Sequence, residues 1–592
     1  MLHRLAILCC AFLLASCAAA PAKIPPGEQL RALVEAHYDE MLELNPLQAT
    51  FTGDHRFDDR LGDPASPAHE AAMLDLERRY LEAARRIDPA RLDGQDRLTW
   101  DIFVRARERS LAAARFPARL LPVTQQYSLP LVLAILGGGG SAQPFATVAD
   151  HERWLARAAE APRAIDSTIA ALREGMARGV TQPREVLASI VPQLDSLIAE
   201  DPEKSLFFGP VRGLPESVPA AERAVLEARY RNLIADTLNP SFAKLRDFIR
   251  DEYLPACRET VGWSDLPDGA AWYDFLVAVN TTTDMTAAEI HALGLAEVAR
   301  IRGEMEQVAR QVGFEGSLAD FFRWVQEEPS FYFDDPRGLI DGYGEIKRRI
   351  DSALPRLFRD FPRADYEVRP VEPFRAATAA GASYLSAAPD GSRPGIFYVN
   401  TFNLKAQPKF GMETLSLHEA SPGHHFQISM AQELTDLPRF RRFSSYVAYV
   451  EGWALYAESL GRELGLFTDP MQWYGRLSDE MLRAMRLVVD TGLHAKGWSR
   501  EQAIQYMRDN SSLAGTDIVA EVDRYIVMPG QALGYKVGDL RIQALRREAE
   551  AALGERFDIR EFHSQVLRDG ALPIDVLEAK VRRWIGEVAA RS

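Results

Sequence analysis

The chain has 592 residues, of which 47% are hydrophobic and 26% are charged, and this balance is typical of a soluble globular protein rather than a disordered or fibrous one. Its 69 Lys and Arg residues are outnumbered by 84 Asp and Glu residues, so the formal net charge is −15 and nucleic acid is not expected as a partner. Cys257 is the only cysteine beyond residue 17, which excludes an intramolecular disulfide scaffold and a cysteine-ligated zinc ribbon.

The N-terminus is predicted to be a lipoprotein signal peptide over residues 1–17. A basic pair, His3 and Arg4, precedes an apolar run that ends at residue 15 and is too short to cross a bilayer. The run leads into Leu-Ala-Ser-Cys, which resembles the lipobox of bacterial lipoproteins, so Cys17 is predicted to carry the lipid. A plain secretory signal with an incidental cysteine is the alternative.

The rest of the chain is predicted to consist of a tether over residues 18–27 and a body over residues 28–592. The alanines and prolines of the tether favour a semi-extended segment. The body is long enough for several domains, but its lobes are not separable from the sequence. We therefore expect a lipid-anchored protein of the cell envelope, at the periplasmic face of the outer membrane, whose only membrane contact is the anchor.

Helical patterns dominate the body. Thr286 and Glu289 form a capping box, and the apolar residues that follow at three- and four-residue spacing predict a helix with one buried stripe. That stripe contains Leu295, Val298, Ile301, Met305 and Val308. Ser499 and Gln502 repeat the capping pattern, whereas strand patterns are limited to residues 366–371 and 395–400. The predicted fold class is therefore mostly α, with one small β-sheet.

Three histidines fall within the eight residues His-Glu-Ala-Ser-Pro-Gly-His-His, which begin at His418. Zinc peptidases carry H-E-x-x-H, because helical residues four apart share one face and both imidazoles reach the metal at about 2.0–2.1 Å. Here His424 lies six positions after His418, and a regular helix would turn the two imidazoles apart. Pro422 and Gly423 favour an interruption, and a two-residue bulge in the helix would restore the register.

An acid from a neighbouring helix is needed to complete such a site. Residues 446–458 contain two glutamates in an otherwise apolar and aromatic stretch, where an unpaired carboxylate would be costly to bury. Glu451 is predicted to be the third metal ligand. Glu458 lies two turns further along, so it is predicted to orient a ligand histidine instead. The alternative is that both glutamates face solvent.

The two motifs HEASPGHH and EGWALYAE together resemble the bacterial family called domain of unknown function 885, whose members are often lipoproteins. The likeness extends to Asn45 and Pro46 near the start and to PGQALGYKVG at residues 529–538, and so covers nearly the whole body. That family is similar to gluzincin metallopeptidases of the thimet-oligopeptidase and thermostable-carboxypeptidase type. The resemblance implies a large helical two-lobed body with a deep central cleft, with the small sheet near the active site.

The resemblance also implies roles for individual residues. The metal ligands would be His418, His424 and Glu451, the general base would be Glu419, and Tyr535 would donate to the developing oxyanion. The Ser-Pro insertion in the motif leaves the choice between His424 and His425 open.

Further candidates lie outside the two motifs. Asp490 and His494 are one helical turn apart and are predicted to form a pair beside the ligands or a second oxyanion donor, the alternative being a surface contact. Asn400 ends a strand that is predicted to be the sheet edge along which an extended peptide binds, or else a core strand. Arg524 and Tyr525 are predicted to hold a substrate carboxylate, unless the arginine is only ion-paired. Glu458, Asp490 and His425 are predicted to support the metal ligands without touching the metal.

These observations lead to two functional hypotheses. The main one is zinc-dependent hydrolysis of peptide bonds in short peptides in the cell envelope, with Zn2+ as cofactor and a carboxypeptidase as the narrower variant. The alternative is a non-catalytic lipoprotein that uses the same fold for binding or envelope assembly. Substrate sequence and length, endo- or exo-cleavage, native metal and oligomeric state stay open.

Overall fold

The structure is a computed structural model that describes residues 24–590, except 217, 373–375, 377–380, 389–390 and 392. The predicted signal peptide with Cys17, and residues 18–23 of the predicted tether, lie outside the described residues. The predicted tether is too long at its C-terminal end, because the first helix already begins at Pro26. Proline fits this first position, where its missing N–H would have no intrahelical acceptor.

Helices make up 70% of the structure, which confirms the mostly α fold class. None of the described helices is both long enough and apolar enough to span a bilayer. The helices of the N-terminal half are α1 (Pro26–Leu44), α2 (Pro46–Phe51), α3 (Pro67–Arg85), α4 (Gly94–Ala113), α5 (Leu129–Gly137), α6 (Val148–Ala159), α7 (Ala161–Arg178), α8 (Arg184–Leu187), α9 (Ile190–Leu197), α10 (Gly209–Arg212), α11 (Ala220–Asn232), α12 (Asn239–Phe248), α13 (Leu254–Ala256) and α14 (Gly269–Thr281).

The C-terminal half contains the helices that carry the predicted site. They are α15 (Ala287–Gln311), α16 (Leu318–Glu327), α17 (Pro336–Ala353), α18 (Met412–Glu419), α19 (His424–Glu433), α20 (Arg439–Arg442), α21 (Val447–Ser459), α22 (Pro470–Ala495), α23 (Arg500–Asn510), α24 (Gly515–Val527), α25 (Leu533–Leu553), α26 (Ile559–Leu567) and α27 (Ile574–Ala590).

The predicted capping boxes form and begin their helices as expected. The Thr286 hydroxyl accepts from the Glu289 N–H and the Glu289 carboxylate accepts from the Thr286 N–H, at the start of α15. Ser499 and Gln502 do the same for α23. The predicted stripe of α15 is wrong at one residue, because Leu295 is 45% exposed. At about 100° per residue, Leu295 lies about 100° away from the centre of the other four stripe residues, which are buried.

The small sheet has three strands, β1 (Tyr366–Pro370), β2 (Ala382–Leu385) and β3 (Gly395–Val399), in the order β1-β3-β2. β3 pairs parallel with β1 and antiparallel with β2, so it is the central strand. The prediction that this strand forms the sheet edge is therefore wrong. Its run of apolar residues is buried on both faces, which is typical of a central strand. The edge strands are β1 and β2, and β2 was not predicted from the sequence.

Two glycines set the distance between α21 and α25. A Cβ atom added to Gly538 would lie well inside 3.0 Å of the Ala448 carbonyl oxygen, and one added to Gly452 would lie 2.5 Å from the Gly538 carbonyl carbon. The two helices therefore pack backbone against backbone. Glu451 directly precedes Gly452, so this contact places α25 against the turn of α21 that carries Glu451.

Candidate metal centre

The histidine motif spans a complete break between two helices. α18 ends at Glu419, Ala420 leaves the helical region with φ −106° and ψ −111°, and α19 begins at His424. The intervening Ser421–Pro422 peptide bond is cis. The prediction of a bulge inside one continuing helix is therefore wrong, because two separate helices are present. The interruption does include Pro422 and Gly423, where it was predicted.

Contacts with the backbone of α18 and with α21 hold this turn in place. A Cβ atom on Gly423 would lie well inside 3.0 Å of the carbonyl oxygens of Leu417 and His418, so only glycine fits there. The indole N–H of Trp453 donates to the Pro422 carbonyl oxygen at 2.8 Å. The tryptophan of the EGWALYAE motif thus ties the turn to the helix that carries Glu451.

The turn brings three predicted ligands together. His424 Nε2 lies 3.4 Å and His418 Nε2 lies 3.7 Å from Glu451 Oε2, and one ligand atom from each of the three residues lies within 4.8 Å of the other two. The two imidazole rings are nearly perpendicular, at 84°, with centroids 4.8 Å apart. Among the described residues this is the one group of three or more His, Cys, Asp or Glu side chains arranged to hold a metal ion.

Glu458 lies behind His418, where it was predicted. Its carboxylate accepts a hydrogen bond from His418 Nδ1 at 2.7 Å, and both side chains are buried. This bond makes Nδ1 the donor to Glu458 and leaves Nε2 to face Glu451. Burial alone would lower the pKa of His418, but its contacts with Glu451 and Glu458 raise that pKa to about 9. The two carboxylates thus make the site favourable for a positive charge.

The effect of Glu458 is testable through metal affinity. The variant Glu458→Gln is expected to weaken zinc binding about 10- to 100-fold, because the neutral amide no longer raises the basicity of His418. Competition with a chromogenic chelator measures this change. Glu306→Gln, a change at an exposed residue of α15, is the control and should keep the wild-type affinity. Equal affinities in the two variants would contradict the prediction.

Two buried atoms of the cluster lack hydrogen-bond partners. Glu451 Oε2 and His424 Nδ1 are inaccessible to solvent, and no described residue forms a hydrogen bond of good geometry with either. Against the effect of burial, the neighbouring imidazoles of His424 and His418 hold the pKa of Glu451 well below its ordinary value. An ionised, unsatisfied carboxylate oxygen is costly in a protein interior. Two imidazoles and one carboxylate are a ligand set that suits zinc, so the residues present fit the predicted metal.

Two of the three predicted catalytic residues, Glu419 and Tyr535, lie on helices that carry or contact this cluster. Glu419 follows His418 at the end of α18, is half-buried, and forms no hydrogen bond or ion pair with any other described residue. Tyr535 lies in the first turn of α25. Burial and the negative charge of Glu451 raise the pKa of Tyr535.

His425 does not join the cluster. Its Nε2 donates to the Ala364 carbonyl oxygen at 3.1 Å, and its Nδ1 accepts from the Tyr384 hydroxyl at 2.9 Å. Burial lowers the pKa of His425 to about 4, so the ring is neutral. The geometry therefore places His424 and not His425 in the cluster, and His425 links α19 to the edge strand β2.

The predicted pair of Asp490 and His494 does not form. Asp490 accepts from the Tyr273 hydroxyl at 2.6 Å and from the Gly530 N–H at 3.0 Å. His494 Nδ1 accepts from the Trp263 N–H at 3.2 Å, and its Nε2 donates to a backbone carbonyl oxygen at 3.0 Å. Burial lowers the pKa of His494 to about 3. Both side chains are buried and form hydrogen bonds with other parts of the interior. The geometry therefore does not support the predicted catalytic role of His494.

The three predicted substrate-binding residues are also engaged within the protein. Asn400 is buried, and its amide donates to the Ala376 carbonyl oxygen at 2.8 Å. Arg524 donates to Glu521 at 3.0 Å, which is the ion pair that the sequence analysis gave as the alternative. Tyr525 is buried and donates to the same carboxylate.

Arg486 was not predicted from the sequence to take part in the site. Its guanidinium lies over the Tyr535 ring, with Cζ 4.4 Å from the ring centroid. One signal was present in the sequence. Arg483 and Arg486 interrupt an apolar stretch of α22, and buried cations require partners. The partners of Arg486 are Tyr525 and Glu521, which are distant in sequence, so the pattern alone did not identify them.

The chain belongs to the family described as bacterial protein of unknown function (DUF885), which matches residues 46–581. Among solved structures, a predicted lipoprotein from Colwellia psychrerythraea is 29% identical, covers 95% of this chain and 100% of its own, and superposes with a TM-score of 0.86. A predicted lipoprotein of unknown function from Shewanella oneidensis shares the fold at 18% identity and a TM-score of 0.72, covering 93% and 99% of the two chains. A comparison with curated proteins found no match.

Proposed function

We propose that this chain is a zinc-dependent peptidase that hydrolyses peptide bonds of short peptides in the cell envelope. The observation that carries the proposal is the convergence of His418 Nε2, His424 Nε2 and Glu451 Oε2 across a broken helix. The similarity of that family to gluzincin peptidases, expected from the sequence, supports the reaction class. The lipoprotein descriptions of the two solved relatives support the predicted lipid anchor and envelope location.

The chemistry follows from the ligands and their neighbours. His418, His424 and Glu451 would hold a zinc ion, which would supply Lewis acidity toward the scissile carbonyl and the attacking water. Glu419 has a free carboxylate beside His418, so it can take a proton from the attacking water and pass it to the leaving amine. The Tyr535 hydroxyl can donate to the oxygen on which negative charge develops.

The sheet offers a place for the substrate backbone. β2 pairs with β3 on one side, and among the described residues no strand covers its other side. An extended peptide can add to such an edge through main-chain hydrogen bonds. The deep cleft implied by the resemblance would restrict access to short, unfolded peptides, which is part of the proposal.

The proposal is tested by digesting a peptide library with the purified, zinc-loaded protein and identifying the products by mass spectrometry. Cleavage is expected that stops when a zinc chelator is added and returns when zinc is restored. The variant Glu451→Gln should lose both zinc and cleavage. Cleavage that survives chelation would contradict the zinc mechanism, and zinc binding without cleavage of any peptide would favour the non-catalytic lipoprotein.

A further inference from the structure

We propose that Arg486 is a positioning residue, which holds the phenol of Tyr535 in a fixed orientation beside the metal cluster. The proposal rests on the proposed function for the role of the Tyr535 hydroxyl, but the contact itself is a property of the fold. Arg486 lies on α22 and Tyr535 on α25, so the contact also joins two helices that are separate in sequence.

The guanidinium of Arg486 is held on several sides. Its Cζ lies 4.4 Å from the centroid of the Tyr535 ring, its Nε donates to the Tyr525 hydroxyl at 3.0 Å, and its Nη2 donates to Glu521 Oε2 at 2.9 Å. The residue is only 6% exposed. A cation in this place covers one face of the ring and restricts its rotation.

Glu521 is the centre of the framework that holds Arg486. The same carboxylate oxygen accepts from Arg524 Nη2 at 3.0 Å and from the Tyr525 hydroxyl. Arg524 in turn donates to Gln531, just before α25, at 2.7 Å. Arg524 and Tyr525, two of the three residues predicted to bind substrate, therefore form part of a support that joins α22, α24 and the segment just before α25.

The backbone at Tyr535 is fixed as well. A Cβ atom on Gly534 would lie 2.7 Å from a methyl group of Val447, so the first turn of α25 packs tightly on the start of α21. With the backbone held by this contact and the ring held by Arg486, the hydroxyl has little freedom relative to Glu451, one turn into α21. A hydrogen-bond donor held in place before the reaction is what stabilisation of a developing oxyanion requires.

A double-mutant cycle separates positioning from general stability. Arg486→Met is expected to lower kcat about 10-fold while KM and zinc content stay near wild type. In the Tyr535→Phe background the same change should cost less than about 2-fold, because the hydroxyl that Arg486 positions is already gone. Arg486→Lys, which keeps a cation and folds more readily, should recover part of the rate. Equal losses in both backgrounds would overturn the proposal.

A second measurement does not depend on activity. Fluorotyrosine at position 535 should give one sharp fluorine NMR resonance in the otherwise wild-type protein and a shifted or broadened one in Arg486→Met. The matched control is Arg476→Met, which removes an equally buried, ion-paired arginine of α22 whose guanidinium lies over Trp473 instead. That control should leave the resonance unchanged.

The two measurements also distinguish failure of the peptidase proposal from failure of the positioning proposal. If the wild-type protein cleaves no peptide but the resonance shifts only in Arg486→Met, the peptidase proposal fails and the positioning contact stands. If peptides are cleaved and the resonance is unchanged in Arg486→Met, the positioning proposal fails while the peptidase proposal stands.

Discussion

The variant Glu419→Gln is expected to lower peptide hydrolysis by about 100- to 10,000-fold, because the amide cannot accept a proton from water. The substitution keeps the size of the side chain and leaves the three predicted zinc ligands in place. Glu419 forms no hydrogen bond or ion pair with other described residues, so the variant should keep the wild-type zinc affinity and stability. The checks are product formation by mass spectrometry, zinc content by elemental analysis and a denaturation curve.

The control for this prediction is Glu451→Gln, which should lose activity together with zinc. The comparison therefore distinguishes a lost proton acceptor from a lost metal. Hydrolysis by Glu419→Gln at the wild-type rate would remove Glu419 from the mechanism. It would also leave no described role for the free carboxylate beside His418.

Local patterns in the sequence predicted much of the fold. The capping boxes at Thr286 and Ser499 fixed the starts of α15 and α23, because such boxes depend on residues only three positions apart. β1 and β3 were also found from their composition. β2 was missed because Ala-Ser-Tyr-Leu is short and carries no β-branched residue, and its pairing with β3 is set by tertiary contacts.

The metal cluster was predictable for a similar reason. His418 and His424 are separated by one short turn, and Glu451 comes from the second helix that follows, so the motif spacing restricts the geometry closely. The role of His494 was not predictable in this way. Its partners, Trp263 and a carbonyl group of α24, come from other parts of the chain, and the periodicity of one helix carries no information about them.

Gly423→Ala is expected to lower the free energy of unfolding by at least about 3 kcal/mol, because the added methyl group collides with the Leu417 and His418 carbonyl oxygens. If the turn moves to relieve the contact, His424 moves away from Glu451 and zinc binding weakens. Chemical denaturation with and without zinc measures both effects.

The matched control is Gly303→Ala in the middle of α15, where a Cβ atom would meet nothing within 4 Å. This variant should be more stable than wild type by about 0.5–1 kcal/mol, since alanine loses less backbone entropy than glycine in a helix. Zinc should stabilise wild type and Gly303→Ala equally, because a ligand that binds only the folded state adds to its stability. Gly423→Ala should gain less from zinc than either. If all three proteins gained the same stabilisation, the packed turn at Gly423 would not be what brings His424 to Glu451.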